Sequence, residues 1–261
     1  MHYTFFAQSD TGRVRENNED AVAFDAATNL CVLADGMGGY NAGEIASGMA
    51  TAYIKSELSK WLTDAGPQAL AVQIKNAIET CVTDANRSIC HASSSNPHYA
   101  GMGTTLVMGV FKDDRFYLGH VGDSRCYLFR DGALLQITKD HSFLQEQIDA
   151  GYLTAEQAAR SANRNLVTRA MGVEVDVLLT LNERQVMPGD LYLLCSDGLS
   201  DMLDDSVIAG ALKSGSSLEK MAGQLVSLAN ENGGRDNITV LLVQVAGMPQ
   251  NRGFISRLLG K

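Results

Sequence analysis

Apolar positions along the chain follow two rhythms. Short unbroken apolar runs bounded by Gly, Asp or Asn read as strands at 21–24, 30–34, 104–111, 115–121, 125–130, 134–138, 177–181, 191–195 and 238–245. Asp113-Asp114 and Asp131-Gly132, which separate the middle runs, are hairpin-turn signals, so 104–138 is expected to form an antiparallel meander. Helical spacing governs elsewhere. Ile45, Met49, Tyr53 and Leu58 share one face of a helix predicted over 43–62, and Leu70, Ile74, Ile78, Val82, Ala85 and Ile89 one over 68–91. The connection Asp64-Ala65-Gly66-Pro67 is short enough to make these two an antiparallel pair. A third helix is predicted over 217–230 on Leu218, Met221, Leu225 and Leu228. Helices grouped apart from antiparallel strands predict an α+β layer fold, not a doubly wound parallel sheet. The stretch 142–166 is polar and weakly periodic between two strands, and reads as an inserted flap.

Composition narrows the classes. With 261 residues, 45% of them hydrophobic, the chain has ample material for a core, and no Pro/Ser-rich linker or repeat divides it. A single domain over 1–246 with a short basic tail at 247–261 is the expected organisation. Lys and Arg number 21 against 30 Asp and Glu, a net charge of −9, which lacks the electrostatic footprint of a nucleic-acid binder. No apolar run is long enough to span a membrane, and the N-terminal stretch lacks a secretory pattern. Five cysteines without a CxxC pair, mostly in apolar runs, fit a reducing cytoplasm.

The chemistry lies in where the aspartates stand. Asp20 precedes the run at 21–24, Asp35 ends that at 30–34, Asp123 follows that at 115–121, Asp197 follows that at 191–195, and Asp236 precedes that at 238–245. Four of them have Gly close by. A lone Asp-Gly is turn chemistry, and Asp131-Gly132 reads that way. Five carboxylates gathered at strand ends repel one another unless a cation neutralises them. Oxygen ligands without thiolate select hard cations, Mg²⁺ or Mn²⁺. The glycines after Asp35 permit close backbone approach, and the Gly36 carbonyl is a further candidate ligand. No GKS/T phosphate loop, GxSxG elbow or reactive Cys loop is present, so metal-activated water is the expected nucleophile. Arg15, five residues before Asp20, offers a planar fork for phosphate oxygens. His120 and His141 read as hydrogen-bonded structural residues.

These residues lie in blocks that occur in order along the chain: SDTGRVRENNEDA at 9–21, LADGMGGYNAGEIAS at 33–47, GMGTTL at 101–106, GHVGDSRCYL at 119–128, ITKDHS at 137–142, LVTRAMG at 166–172, LLCSDGLSD at 193–201 and GGRDNITV at 233–240. In them the chain resembles the metal-dependent Ser/Thr protein phosphatases of the 2C type (PPM family) in their short bacterial form. The resemblance implies a central antiparallel β-sandwich flanked by helix pairs, in α-β-β-α layers. It implies two tightly bound Mn²⁺ or Mg²⁺ ions: Asp35 bridging them, the Gly36 carbonyl on the first, Asp197 and Asp236 on the second, and Glu19 and Asp20 holding their waters. Asp123 with Asp197 would form a third, weaker site. Arg15 would bind the substrate phosphate and Asn237 would support the site and contact substrate. The implied reaction is phosphoserine and phosphothreonine hydrolysis by a metal-bridging water, on proteins phosphorylated by a cognate cytoplasmic Ser/Thr kinase, by a monomer. One position departs from eukaryotic members: Met37 stands where they carry a His proposed as general acid, which leaves a third-site water or His141 as candidates. A module on this fold that had lost catalysis would lack metal-site carboxylates, and none is missing.

Overall fold

The computed structural model describes residues 1–38, 42–154, 157 and 166–247. Its strands and helices follow in the order β1 (His2–Asp10), β2 (Asp20–Asp25), β3 (Leu30–Met37), α1 (Ala42–Ala65), α2 (Ala71–Ser95), β4 (Gly103–Thr104), β5 (Leu106–Lys112), β6 (Arg115–Val121), β7 (Arg125–Arg130), β8 (Ala133–Gln136) and α3 (Phe143–Asp149). The chain continues through β9 (Thr180–Gln185), β10 (Leu191–Cys195), α4 (Asp197–Ser200), α5 (Asp205–Leu212), α6 (Leu218–Glu231) and β11 (Ile238–Ala246). One sheet has the order β1-β11-β10-β7-β8, the other β2-β3-β5-β6-β9, with β4 paired to the end of β3. Neighbouring strands are antiparallel throughout.

The apolar runs are unbroken because both faces of the central strands are covered. In β3, Leu30, Val32 and Ala34 face a layer with Ile54 and Leu58 of α1 and Ile74 and Ile78 of α2. Its alternate residues Cys31 and Leu33 point inward, where Phe111, Phe116, Tyr192, Leu241 and Val243 fill the space between the sheets. In β11, Val240 and Leu242 face outward onto Ile208 of α5 and Leu225 of α6. Three apolar layers thus alternate with the four structural ones. The α-β-β-α expectation holds.

The meander does not. β5–β6 and β7–β8 are the two hairpins that the turn signals predicted, yet they belong to different sheets. The chain crosses from one sheet to the other at Gly122, whose φ of +98° is open to glycine. A Cβ there would also lie 2.8 Å from Cγ2 of Thr105. β9 begins later than predicted, and β1, α3, α4 and α5 were absent from the sequence reading. The start of the predicted flap is the helix α3, with Ser142 capping it and bridging Val167. The tail, beyond Gly247, lies outside the described residues.

Candidate active site

One edge of the sandwich gathers the ends of strands from both sheets, and the aspartates stand there. Asp20 opens β2 directly opposite Asp35 in the antiparallel register with β3. Asp123 sits in the crossing between β6 and β7, Asp197 opens α4 just after β10, and Asp236 stands two residues before β11. Asp35, Asp123, Asp197 and Asp236 line a cleft of about 220 Å³, with Arg15 and Glu19 in its wall. Asp20 supports the cleft through Ser196, whose Oγ donates to its Oδ2 at 2.8 Å. Among the described residues the other carboxylate oxygen, Oδ1, is buried with no hydrogen-bond partner.

Burial raises the carboxyl pKa values of Asp35 and Asp197 well above the usual range, and the neighbouring aspartates push them further. Burial likewise raises Asp20 to about 6, against the pull of hydrogen bonds from Thr239 and Ser196. Asp123 rises to about 6, chiefly by burial and then by the charge of Asp140. Glu19 is raised by burial as well. Folding has therefore concentrated anions where water cannot solvate them well. A proton or a cation must relieve that repulsion. The donors are all oxygen, which matches a hard divalent ion. Among the described residues no three carboxylate, thiol or imidazole groups close on one point as a ready cage. A lined cleft is what ions of the Mg²⁺ kind require, since they keep several waters and take few carboxylates each. The residues present fit the implied metals.

Arg15 reaches over the cleft from the loop after β1. Its Nη2 donates to Oδ2 of Asp236 at 2.8 Å, and the side chain remains 54% exposed. Gly36 is held where no other residue fits, because a Cβ would collide with the Gly43 carbonyl at the start of α1. Its N–H donates to the Glu19 carbonyl at 3.1 Å, which ties the two acidic strands together. Met37 lines the cleft beside it.

Two expectations change. Asn237 was expected to touch substrate, but its side chain is engaged with backbone. Oδ1 accepts Glu19 N–H at 2.8 Å, and Nδ2 donates to the carbonyls of Thr11 at 3.0 Å and Asn17 at 2.9 Å. It positions the Arg15–Asp20 loop and offers a phosphate no free donor. His141 was a candidate acid, yet its Nδ1 accepts Gly122 N–H at 3.1 Å and its Nε2 pairs with Thr180 Oγ1 at 3.0 Å. Burial lowers its pKa to about 4. With Nδ1 accepting, the neutral ring carries its proton on Nε2 and donates it to Thr180, so its structural reading stands.

Four hydroxyls beneath the cleft support it without belonging to the acidic pattern of the sequence. Thr105 Oγ1 accepts Asp35 N–H at 3.0 Å, and Thr104 Oγ1 donates to the Asp35 carbonyl at 2.9 Å. Thr105 Oγ1 also meets Ser124 Oγ at 2.7 Å, next to Asp123. Ser196, besides holding Asp20, accepts Thr239 N–H at 3.0 Å. Their only sequence signal was adjacency to the acidic blocks.

Known proteins share this arrangement along nearly the whole chain. The sequence model of the protein phosphatase 2C family matches residues 11–242. A serine/threonine protein phosphatase of Mycobacterium tuberculosis, PstP, is 43% identical over 242 residues, covering 92% of this chain. The chain spans 45% of that protein, about half its length. A serine/threonine phosphatase of Listeria welshimeri, stp, is 36% identical over 259 residues, which cover 97% of this chain and 99% of the relative. The crystal structure of the catalytic domain of PstP in complex with two manganese ions aligns with a TM-score of 0.82 at 40% identity, over 94% of this chain and 99% of that one. By its sequence blocks, its sandwich and its acidic cleft, this chain belongs to the protein phosphatase 2C family.

Proposed function

We propose that this chain is a metal-dependent protein phosphatase that hydrolyses phosphoserine and phosphothreonine in proteins, reversing a cytoplasmic Ser/Thr kinase. The observation that carries the reading is the convergence of buried, mutually repelling carboxylates on one cleft with a guanidinium over it. Asp35, the Gly36 carbonyl, Asp197 and Asp236 would hold two Mn²⁺ or Mg²⁺ ions, with Glu19 and Asp20 retaining their waters and Asp123 with Asp197 a third, weaker ion. When bound, the ions supply Lewis-acid charge and an activated water. Arg15 binds the phosphate with its planar fork and is held in place by Asp236. Neither Met37, a thioether, nor His141, whose Nδ1 accepts from Gly122 and whose Nε2–H is taken by Thr180, gives the leaving oxygen a proton. Water in the cleft is left to do so. The manganese-bound catalytic domain of PstP supports the choice of metal. Among the described residues no helix is long and apolar enough to cross a membrane.

Hydrolysis of p-nitrophenyl phosphate and phosphothreonine peptides, with and without Mn²⁺ after EDTA treatment, tests the proposal. Activity should depend on added metal, and Asp236→Asn should lower kcat by at least about 10²-fold, because removing a metal-holding charge does at least what removing its support does. A wild-type rate that survives EDTA treatment overturns it.

A further inference from the structure

Between Met171 and β9 the chain displays aliphatic side chains to solvent. Val173, Val175 and Leu178 are 63%, 68% and 67% exposed. Here the backbone is fixed. Thr104 N–H donates to the Met171 carbonyl at 3.0 Å, and Met171 N–H returns the bond to Thr104 at 2.9 Å. Asn86 of α2, wholly buried, then commits its amide to the loop. Nδ2 donates to the carbonyls of Glu174 at 2.9 Å and Val175 at 3.0 Å, while Oδ1 accepts Gly172 N–H at 2.7 Å. The Cys90 thiol adds a bond to the Glu174 carbonyl at 3.3 Å. A buried polar side chain that makes three bonds to one loop holds its exposed side chains in a set display.

This display begins at the rim of the catalytic cleft. A Cβ on Gly103 would lie 3.0 Å from Cγ2 of Val173 and 3.6 Å from Cγ of Met37, which itself lines the cleft. Val173 forms a ridge between two hollows. One, of about 180 Å³, is lined by Val173, Val177 and Leu178 with Arg169 and Asp176. The other, of about 450 Å³, is lined by Val173 and Val175 together with Arg87 and His91 of α2.

We propose that this ledge receives an aliphatic side chain near the phosphorylated residue of the protein substrate; the inference rests on the phosphatase reading above. A phosphoserine or phosphothreonine side chain is short, so a phosphate in the cleft keeps its own backbone at the rim. Residues advance about 3.3 Å each in an extended segment, so a substrate segment leaving the cleft past Gly103 brings a neighbouring residue within a few positions to Val173. Aliphatic groups held in a fixed ledge gain most from an aliphatic partner, because both lose apolar surface to water without ordering the ledge.

The test uses phosphothreonine peptides that differ only by Leu or Ser, placed in turn at each of about four positions on either side of the phosphothreonine. Leu at one of these positions should raise kcat/KM about tenfold over Ser, the low end of what one apolar contact discriminates. In the double variant Val173→Ser, Val175→Ser the ratio should fall towards one, and in Val173→Ile it should persist. Hydrolysis of p-nitrophenyl phosphate reports that each variant retains its fold and centre. Equal rates for Leu and Ser at every position, or a ratio that survives the double variant, overturns the ledge alone. Failure to hydrolyse any phosphopeptide or p-nitrophenyl phosphate in Mn²⁺ overturns the reading of the site, and the ledge with it.

Discussion

The peptide of Asp35 is gripped by side chains that carry no charge. Thr105 and Ser124 are almost wholly buried, and their hydroxyl contact links the Asp35 peptide to the loop bearing Asp123. Valine in place of Thr105 keeps the branched shape and deletes the acceptor for Asp35 N–H. A buried donor left without a partner costs about 1–3 kcal/mol, enough to shift the strand that carries the carboxylate. Thr105→Val should therefore lower kcat about tenfold, as about 1.4 kcal/mol in the barrier would. KM should change little, and Thr105→Ser should recover most of the rate. Steady-state kinetics with p-nitrophenyl phosphate at saturating Mn²⁺ reads this split, and a rise in KM at constant kcat would contradict it. The carboxylates themselves were legible in the sequence, because charge at the end of an apolar run has few structural explanations. Thr104, Thr105, Ser124 and Ser196 were not. Hydroxyls occur everywhere along a chain, and only burial against a particular peptide singles these out. Asn237 misled for the same reason: next to Asp236 it has the look of a substrate ligand, whereas three backbone partners use its amide.

At the scale of elements, the crossing at Gly122 decides whether the cleft exists, since it brings Asp123 beside strand ends of the other sheet. His141 pins that crossing. Its N–H donates to the Gly122 carbonyl at 2.9 Å, its ring accepts from Gly122 N–H, and its other nitrogen meets Thr180 at the start of β9. His120 stacks on it with ring centroids 4.6 Å apart. Burial lowers both imidazoles, His141 to about 4, and the His120 ring opposes charge on His141 further. The unfolded chain binds a proton at His141 near its ordinary value of about 6.5, and the folded chain does not. The stability contributed by the neutral ring is thus complete above about pH 6.5 and is lost as pH falls towards the folded value of about 4. Urea unfolding of wild type and His141→Gln between about pH 7 and pH 5 should show a smaller acid loss in the variant. Parallel slopes would mean that the ring does not titrate with folding. The hairpins were legible from their Asp turns, but the crossing was not, because Gly122-Asp123 carries the same turn signal as a hairpin. β1 escaped for a different reason. It is an edge strand paired with β11 alone, and its burial alternates only over His2–Phe5, the rest being half-buried or exposed. β9, also an edge, is polar over Asn182–Gln185 and was placed too early for that reason.

The whole molecule sets three apolar layers against one acidic edge. The layers were legible as a class, since helices grouped apart from strands admit few architectures. Which strands shared a sheet was not, because runs buried on both faces carry no alternation to orient them. The consequence of the acidic edge is a stability that depends on metal and pH together. Asp20 and Asp123 have folded values of about 6, and Asp35 and Asp197 are raised well above the ordinary aspartate value of 3.8. A raised folded pKa means that the folded chain binds the proton more tightly than the unfolded one. In EDTA the stabilising protons are in place at low pH and are lost as pH rises through about 6 and above, so the melting temperature should fall between about pH 5 and pH 8. Mn²⁺ replaces those protons. It competes with them at about pH 5 and meets ionised carboxylates at about pH 8, so its increment in melting temperature should be larger at the higher pH. Because the histidine contribution runs the other way, the measurement is the difference between Mn²⁺ and EDTA at each pH. An increment that is equal at both, or larger in acid, would show that the aspartates at this edge do not hold the ion.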